Sequence, residues 1–155
     1  MSGSAQRSAK TTSSTRQSDR FSAEERAAMK ERARELKAGR RPGNPDGEAN
    51  LLAKIAEMPD ADRAVAERVH AIVRASAPAL TCRTWYGMPA YANADGKVVV
   101  FFQDSGKFKY RYSTLGFQEA ANLDDGDMWP VSYALRKWSA VVEKKVAELV
   151  KAAVS

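Results

Sequence analysis

Apolar positions along the chain recur at helical spacing in its first half and again at its end, and alternate at strand spacing between. Ser22 and Glu25 form a capping box, with Phe21 placed as a staple residue. A helix is predicted from there to about Ala38, ending at Gly39. Its apolar side is thin (Ala27, Ala28, Met29, Ala33, Leu36), and Glu31 and Glu35 stack as like charges. Such a helix is expected to dock loosely rather than to build the core. Arg40 to Gly47 is a linker by composition. Leu51, Leu52, Ile55 and Met58 mark a short amphipathic helix, ended by Pro59-Asp60. Val65, Val69, Ile72 and Val73 then fall at i, i+4, i+7 and i+8, the buried stripe of a longer helix. Asp60 and Asp62 suit its N-terminus and Pro78 stops it.

Strand signals follow. Thr84 to Ala92 reads as a first strand whose Pro89 marks an edge or a bulge. Asn93-Ala94-Asp95-Gly96 is a turn. Lys97 to Gln103 is apolar on both faces and so reads as a central strand. After a turn at Asp104-Ser105-Gly106, Lys107 to Tyr112 alternates cation and aromatic, predicting a strand with Phe108, Tyr110 and Tyr112 on one face and Lys107, Lys109 and Arg111 on the other. Leu115-Gly116-Phe117 and the Glu119 run suggest a short helix or turn. Met128 to Lys137 reads as a further strand. Ser139 caps a last helix with the stripe Val142, Val146, Leu149, Val150 and Ala153. The fold class expected is α+β: a small antiparallel sheet of about four to five strands packed against N- and C-terminal helices.

Composition divides the chain. Residues 1–20 lack periodicity and large apolar side chains and are expected to be a disordered basic tail. The helix occupies 21–39, the linker 40–47 and the compact domain 48–155. The net charge of +6 is uneven: residues 1–47 carry 11 Lys and Arg against 6 Asp and Glu, leaving only +1 to residues 48–155. Nucleic acid is thus an unlikely partner for the domain, beyond a weak salt-sensitive contact by the tail. No apolar run approaches the ~20 residues that span a membrane, and no secretory signal is read at the start. The single cysteine, Cys82, admits no internal disulfide, and a cytoplasmic location is expected.

The constellations of familiar enzymes are missing: no phosphate-cradling glycine loop, no metal-spaced His or Cys cluster, no nucleophile elbow. Cys82 reads as a small buried hydrophobe, or as a nucleophile with His70, the only histidine, as its base. Three features remain. The aromatics Trp85, Tyr86, Tyr91, Phe101, Tyr110, Trp129 and Tyr133, with Met88, suit either core filling or a small-ligand pocket at an open sheet. The cations Lys107, Lys109 and Arg111 read as a solvated sheet face or as a site for an anion or acidic partner. Asp124, Asp125 and Asp127 read as a surface turn or as oxygen ligands for a hard cation.

Tyr86-Gly87-Met88-Pro89-Ala90-Tyr91, preceded by the Ala77-Pro78 helix end and followed by Gly96-Lys97-Val98-Val99-Val100-Phe101-Phe102, resembles the YdhG-like family, the bacterial domain of unknown function 1801. The likeness spans roughly residues 48–153. It implies a compact α+β domain similar in outline to the frataxin type, and the iron-chaperone role proposed for that family. The expected function is a non-enzymatic protein that binds a small molecule or partner through Trp85, Tyr86, Met88, Tyr91, Tyr110, Trp129, Lys107, Lys109 and Arg111. The alternative is an iron chaperone using the carboxylates of Asp124, Asp125 and Asp127, iron being the one cofactor in view.

Overall fold

The computed structural model describes residues 22–38 and 47–155. The predicted tail, the staple residue Phe21 and all but the last residue of the linker lie outside them. Helix α1 spans Ala23–Ala38, α2 Gly47–Ala56 and α3 Asp60–Ser76. Strands β1 (Thr81–Trp85), β2 (Met88–Ala92) and β3 (Val98–Gln103) follow. The four-residue α4 (Ser105–Phe108) leads to β4 (Ser113–Phe117), β5 (Ser132–Leu135) and α5 (Ala140–Ala153). The sheet is a five-stranded antiparallel meander in the order β1-β2-β3-β4-β5. This is the α+β class that the pattern predicts. No helix among the described residues is long and apolar enough to cross a membrane.

One face of the sheet makes the core. Tyr91, Val100, Phe102, Leu115 and Phe117 point to it and meet Leu51 and Ile55 of α2, Val69 and Val73 of α3, and Val146 and Val150 of α5. Two helix caps are those the sequence announces, whereas α3 has Pro59 at its N-cap and no side-chain cap hydrogen bond. Ser22 Oγ accepts from Glu25 N at 3.1 Å, and Ser139 Oγ accepts from Val142 N at 3.2 Å. Asn93 Oδ1 closes its turn by accepting from the Asp95 and Lys97 amides. At the chain's end Asn122 N donates to Ala153 O, tying the β4–β5 connection to the end of α5.

The strand region departs from expectation in three places. The predicted strand Thr84–Ala92 is two strands, β1 and β2, joined by a turn of two residues, Tyr86-Gly87. Both turn residues take positive φ, 52° and 76°, the geometry that reverses a chain between twisted strands. Pro89 therefore does not mark an edge. It sits inside β2, the second strand of the sheet, one residue before Ala90 begins the pairing with β3. In β3 the register jumps between Tyr91/Val100 and Ala92/Val98, so Val99 is an extra residue. This bulge turns Val99 and Val100 together into the core and explains the run's two-sided apolarity.

Lys107–Tyr112 is not a strand. Asp104 caps the helical turn α4 by accepting from Lys107 N at 2.8 Å, and Lys109 closes it at φ 57°. A left-handed residue at Lys109 breaks any period of two, so the alternating face does not form. The strand lies further on, in the Leu115-Gly116-Phe117 segment that was expected to be helix or turn. Its Gly116 is required because the ring of Phe101, its partner across the strands, lies where a Cβ would stand. The last predicted strand, Met128–Lys137, shortens to Ser132–Leu135.

The packing of α3 and α5 across the core makes a quantitative expectation. Val69 and Val146 are 1 % and 2 % exposed. Val69→Ala and Val146→Ala should each cost about 1–3 kcal/mol in chemical denaturation, chiefly through the cavity left behind. Two variants as stable as the parent would refute this packing.

Candidate functional site

The predicted ligand residues do not form one pocket. Tyr91 is buried in the core at 1 % exposure, and Met88 is also buried. Trp129 precedes β5, at the opposite edge of the sheet from Trp85 in β1. Tyr110 stands 58 % exposed after α4. Trp85 faces away from the main core and meets Phe101 edge-on, with ring centroids 5.2 Å apart. Tyr86 lies beside it in the turn, also at 5.2 Å. The three cations separate as well. Lys107 Nζ donates to Gly87 O at 3.3 Å, Lys109 pairs with Glu24 at 2.6 Å, and the Arg111 guanidinium lies over the ring of Tyr112. Asp124, Asp125 and Asp127 are all exposed. Among the described residues no group of three His, Cys, Asp or Glu side chains is placed to hold a metal ion.

What the fold does assemble is a cleft of about 360 Å³ at the β1–β2 turn, lined by Lys54, Glu57, Met58, Pro59, Gly87, Asp104, Gly106 and Lys107. Three elements converge there: the end of α2, the cap of α4, and the turn of the TWYGMPAY segment. Only Lys107 of the predicted ligand residues lines it. A Cβ on Gly87 would fall on the Lys107 ammonium, the mobile end of a flexible side chain, so it is the positive φ that favours glycine here.

The cleft's floor is a buried polar network. Asp62, near the start of α3, is 8 % exposed and Asp104 is 2 % exposed. Asp62 Oδ1 accepts from Ser105 Oγ at 2.8 Å and from Ser113 Oγ at 2.9 Å, while Oδ2 accepts from Gly106 N at 3.0 Å. The residue that the sequence assigns to the helix dipole thus also pins α4 and β4 to α3. Burial raises the Asp104 carboxyl above its ordinary range, the Lys107 amide opposes this, and the nearby Asp62 adds to it. Above the cleft, Lys54 bridges Glu31 of α1 at 3.3 Å and Glu57 at 3.6 Å.

A second polar cluster lies in the α2–α3–β2 corner. His70 Nε2 is 3.1 Å from Glu48 Oε1, and its Nδ1 is 2.9 Å from Tyr91 Oη. The carboxylate can only accept, so Nε2 carries a proton, and in the neutral imidazole Nδ1 then accepts from the tyrosine hydroxyl. Burial drives the Tyr91 hydroxyl far above its usual range and keeps it a donor. Cys82 is the cross-strand neighbour of Tyr91. Burial pushes its thiol up, opposed by Arg74. With both ring nitrogens of His70 engaged elsewhere and the thiol held protonated, the Cys82–His70 nucleophile pair does not form.

Sequence reasoning missed Lys54, Glu57 and Asp104. The signal for Asp104 was present, since Asp followed by Ser-Gly-Lys is a helix-cap sequence as well as a turn. The like-charged pair Glu31 and Glu35 on a helix with little apolar surface was likewise a sign of cationic or amide partners elsewhere. Comparisons of the chain with protein-family models, curated proteins and solved structures return no match.

Two measurements bear on these networks. Tyr91→Phe removes the donor to His70 Nδ1 and should cost about 1–3 kcal/mol by urea denaturation, the range for a buried acceptor left unsatisfied. A cost near zero would mean that the bond carries no net weight. For Asp104 the sign follows from its raised folded-state pKa. The folded chain keeps that proton to higher pH than the unfolded chain, whose value lies near the usual ~3.9. The contribution of Asp104 to stability is therefore lost as pH rises from there through the raised value. Asp104→Asn should flatten that decline, and parallel stability–pH curves for the two proteins would contradict the assignment.

Proposed function

We propose that this chain is a non-enzymatic binding protein of the YdhG-like type, which holds a small polar molecule in the cleft at the Tyr86–Gly87 turn. The observation that carries the reading is the lining of that cleft. Lys54 and Lys107 face it with Glu57 and Asp104, so both signs of charge surround one apolar contact surface, Met58 and Pro59. A cleft of about 360 Å³ falls in the size range of small-ligand sites. Mixed charge on a small scale suits a molecule that itself carries a cationic and an anionic end. The segment that resembles the YdhG-like family, YGMPAY, supplies the turn that forms one wall.

The absence of catalysis in this reading rests on what the charged groups already do. Asp104 caps α4 and Lys107 Nζ donates to Gly87 O. His70 is closed between Glu48 and Tyr91 in a different corner. Asp104 and Lys107 line the cleft while serving structural bonds, and this reading assigns the cleft binding rather than catalysis.

Free amino acids, which carry both charges, are the direct probe. Titrated into the nitrogen-15-labelled chain to about 10 mM, the range of weak ligand sites, at least one should give saturable shifts at the amides of Lys54, Gly87, Gly106 and Lys107. Lys107→Met should weaken that binding about tenfold or more, the size of one lost charge-assisted contact. If no member of the panel moves those amides, a zwitterion-binding cleft is refuted.

A further inference from the structure

The described side chains of helix α1 dock with little apolar burial. Among its described side chains Ala28 is the one buried hydrophobic, and Met29 is 45 % exposed. Ionic contacts hold it instead: Glu24 with Lys109, and Glu31 with Lys54. Glu35 reaches deepest, its side chain 7 % exposed. Its two oxygens accept from two consecutive amides, Oε2 from Tyr86 N and Oε1 from Gly87 N, each at 2.9 Å. These are the two positive-φ residues of the β1–β2 turn, whose amides point out of the sheet side by side. Successive amides in a turn make an anion-binding concavity.

The surroundings complete a carboxylate socket. Arg32 Nη1 lies 3.6 Å from Glu35 Oε2. The same guanidinium is 5.4 Å from the centroid of the Tyr86 ring, helping to hold that residue at its unusual φ. Arg32 Nη1 is buried and has no hydrogen-bond partner among the described residues, its contact with Glu35 being ionic only. Burial and the neighbouring Arg32 charge lower the pKa of Arg83 in β1, and the Glu35 charge opposes this. The socket borders the cleft through Gly87, whose amide faces Glu35 and whose carbonyl accepts from Lys107 Nζ.

We propose that this socket receives the carboxylate of a small ligand and that Glu35 fills it in cis, making α1 a plug that the ligand displaces. The inference rests on the cleft reading above, because the remainder of the ligand would lie in that cleft. A free carboxylate reproduces the two amide bonds and the ionic contact with Arg32. It also reaches the cleft's cations, which a glutamate anchored on α1 does not. The tethered competitor acts as a local carboxylate at an effective concentration of order millimolar, so it must raise the ligand concentration needed for occupancy. Among the described side chains of α1 only Ala28 is a buried hydrophobic, so undocking them exposes little hydrophobic surface.

The test uses the full chain with glutarate as the probe and chloride at matched ionic strength as the control. In the nitrogen-15 spectrum, glutarate should give saturable shifts at Tyr86 and Gly87 in Glu35→Ala, at a concentration about tenfold or more below that needed in the parent chain. Glu35→Gln, nearly isosteric but uncharged, should give the same direction of change and covers the case in which alanine disturbs the helix. Lys54 and Gly106 report the cleft separately. Shifts there without any at Tyr86 and Gly87 in either variant overturn the plug and leave the cleft reading standing. Equal half-saturation in the parent and both variants also overturns it, since Glu35 would then be no competitor. Silence at all four amides in every protein refutes both readings for carboxylates.

Discussion

The reversal between β1 and β2 in only two residues is the constraint on which the functional end of this molecule depends. The two-residue connection formed here between right-twisted strands takes positive φ at both positions. Gly87 adopts it freely, whereas Tyr86, with a Cβ, does so at a cost of about 1 kcal/mol or more. The same geometry leaves the two turn amides facing outward, away from any strand partner. Buried amides must find an acceptor. A carboxylate from outside the sheet supplies it, and the position of α1 follows from that requirement more than from hydrophobic packing. Pro89, in turn, is admissible inside the sheet because the pairing of β2 with β3 begins only at the next residue.

Much of this architecture is legible in the sequence. The helices announce themselves by caps and stripes that depend on neighbours in the chain: Ser22, Ser139, Pro78, and the apolar series of α2, α3 and α5. The strands were less readable, for identifiable reasons. Pro89 signalled an edge, because nothing local reveals where a neighbouring strand starts to pair. The bulge at Val99 depends on register with β2 and has no marker of its own. In Lys107–Tyr112 the alternation of charge and ring was genuine, yet a capping carboxylate at Asp104 and a left-handed Lys109 outweighed it. The aromatic set could be listed from the sequence but not sorted. Parity within each strand sends Tyr91 and Phe102 to the helices, Trp85 and Phe101 to the other face, and the order of strands puts Trp129 at the far edge.

Two polar clusters, that of Asp62 buried and that of His70 partly exposed, divide the labour of specifying the fold. Asp62 gathers two hydroxyls and one amide from α4 and β4, so the position of α4 is set by directional bonds rather than by packing alone. Glu48, His70 and Tyr91 do the same for α2, α3 and β2. Hydrogen bonds of this kind contribute modestly when made and are costly when broken. They therefore penalise alternative arrangements of the helices on the sheet, which a purely apolar interface of Val, Leu and Ala would tolerate. The cleft lies where the Asp62 cluster meets the β1–β2 turn, and its walls inherit that rigidity.

The strict meander order of the sheet has a consequence for how the chain reaches this state. Every strand pairs only with its neighbours in sequence, so each pairing closes a short loop, and the entropy lost in loop closure grows only slowly with length. Contacts of longer range include Glu35 with Tyr86 and Gly87, Asp62 with Ser113, and the packing of α3 against α5, two helices separated by the whole sheet. Zipping of successive hairpins shortens that separation before the two helices meet. In the folded chain the Val146 and Val150 stripe of α5 packs into the core that the strands share with α2 and α3.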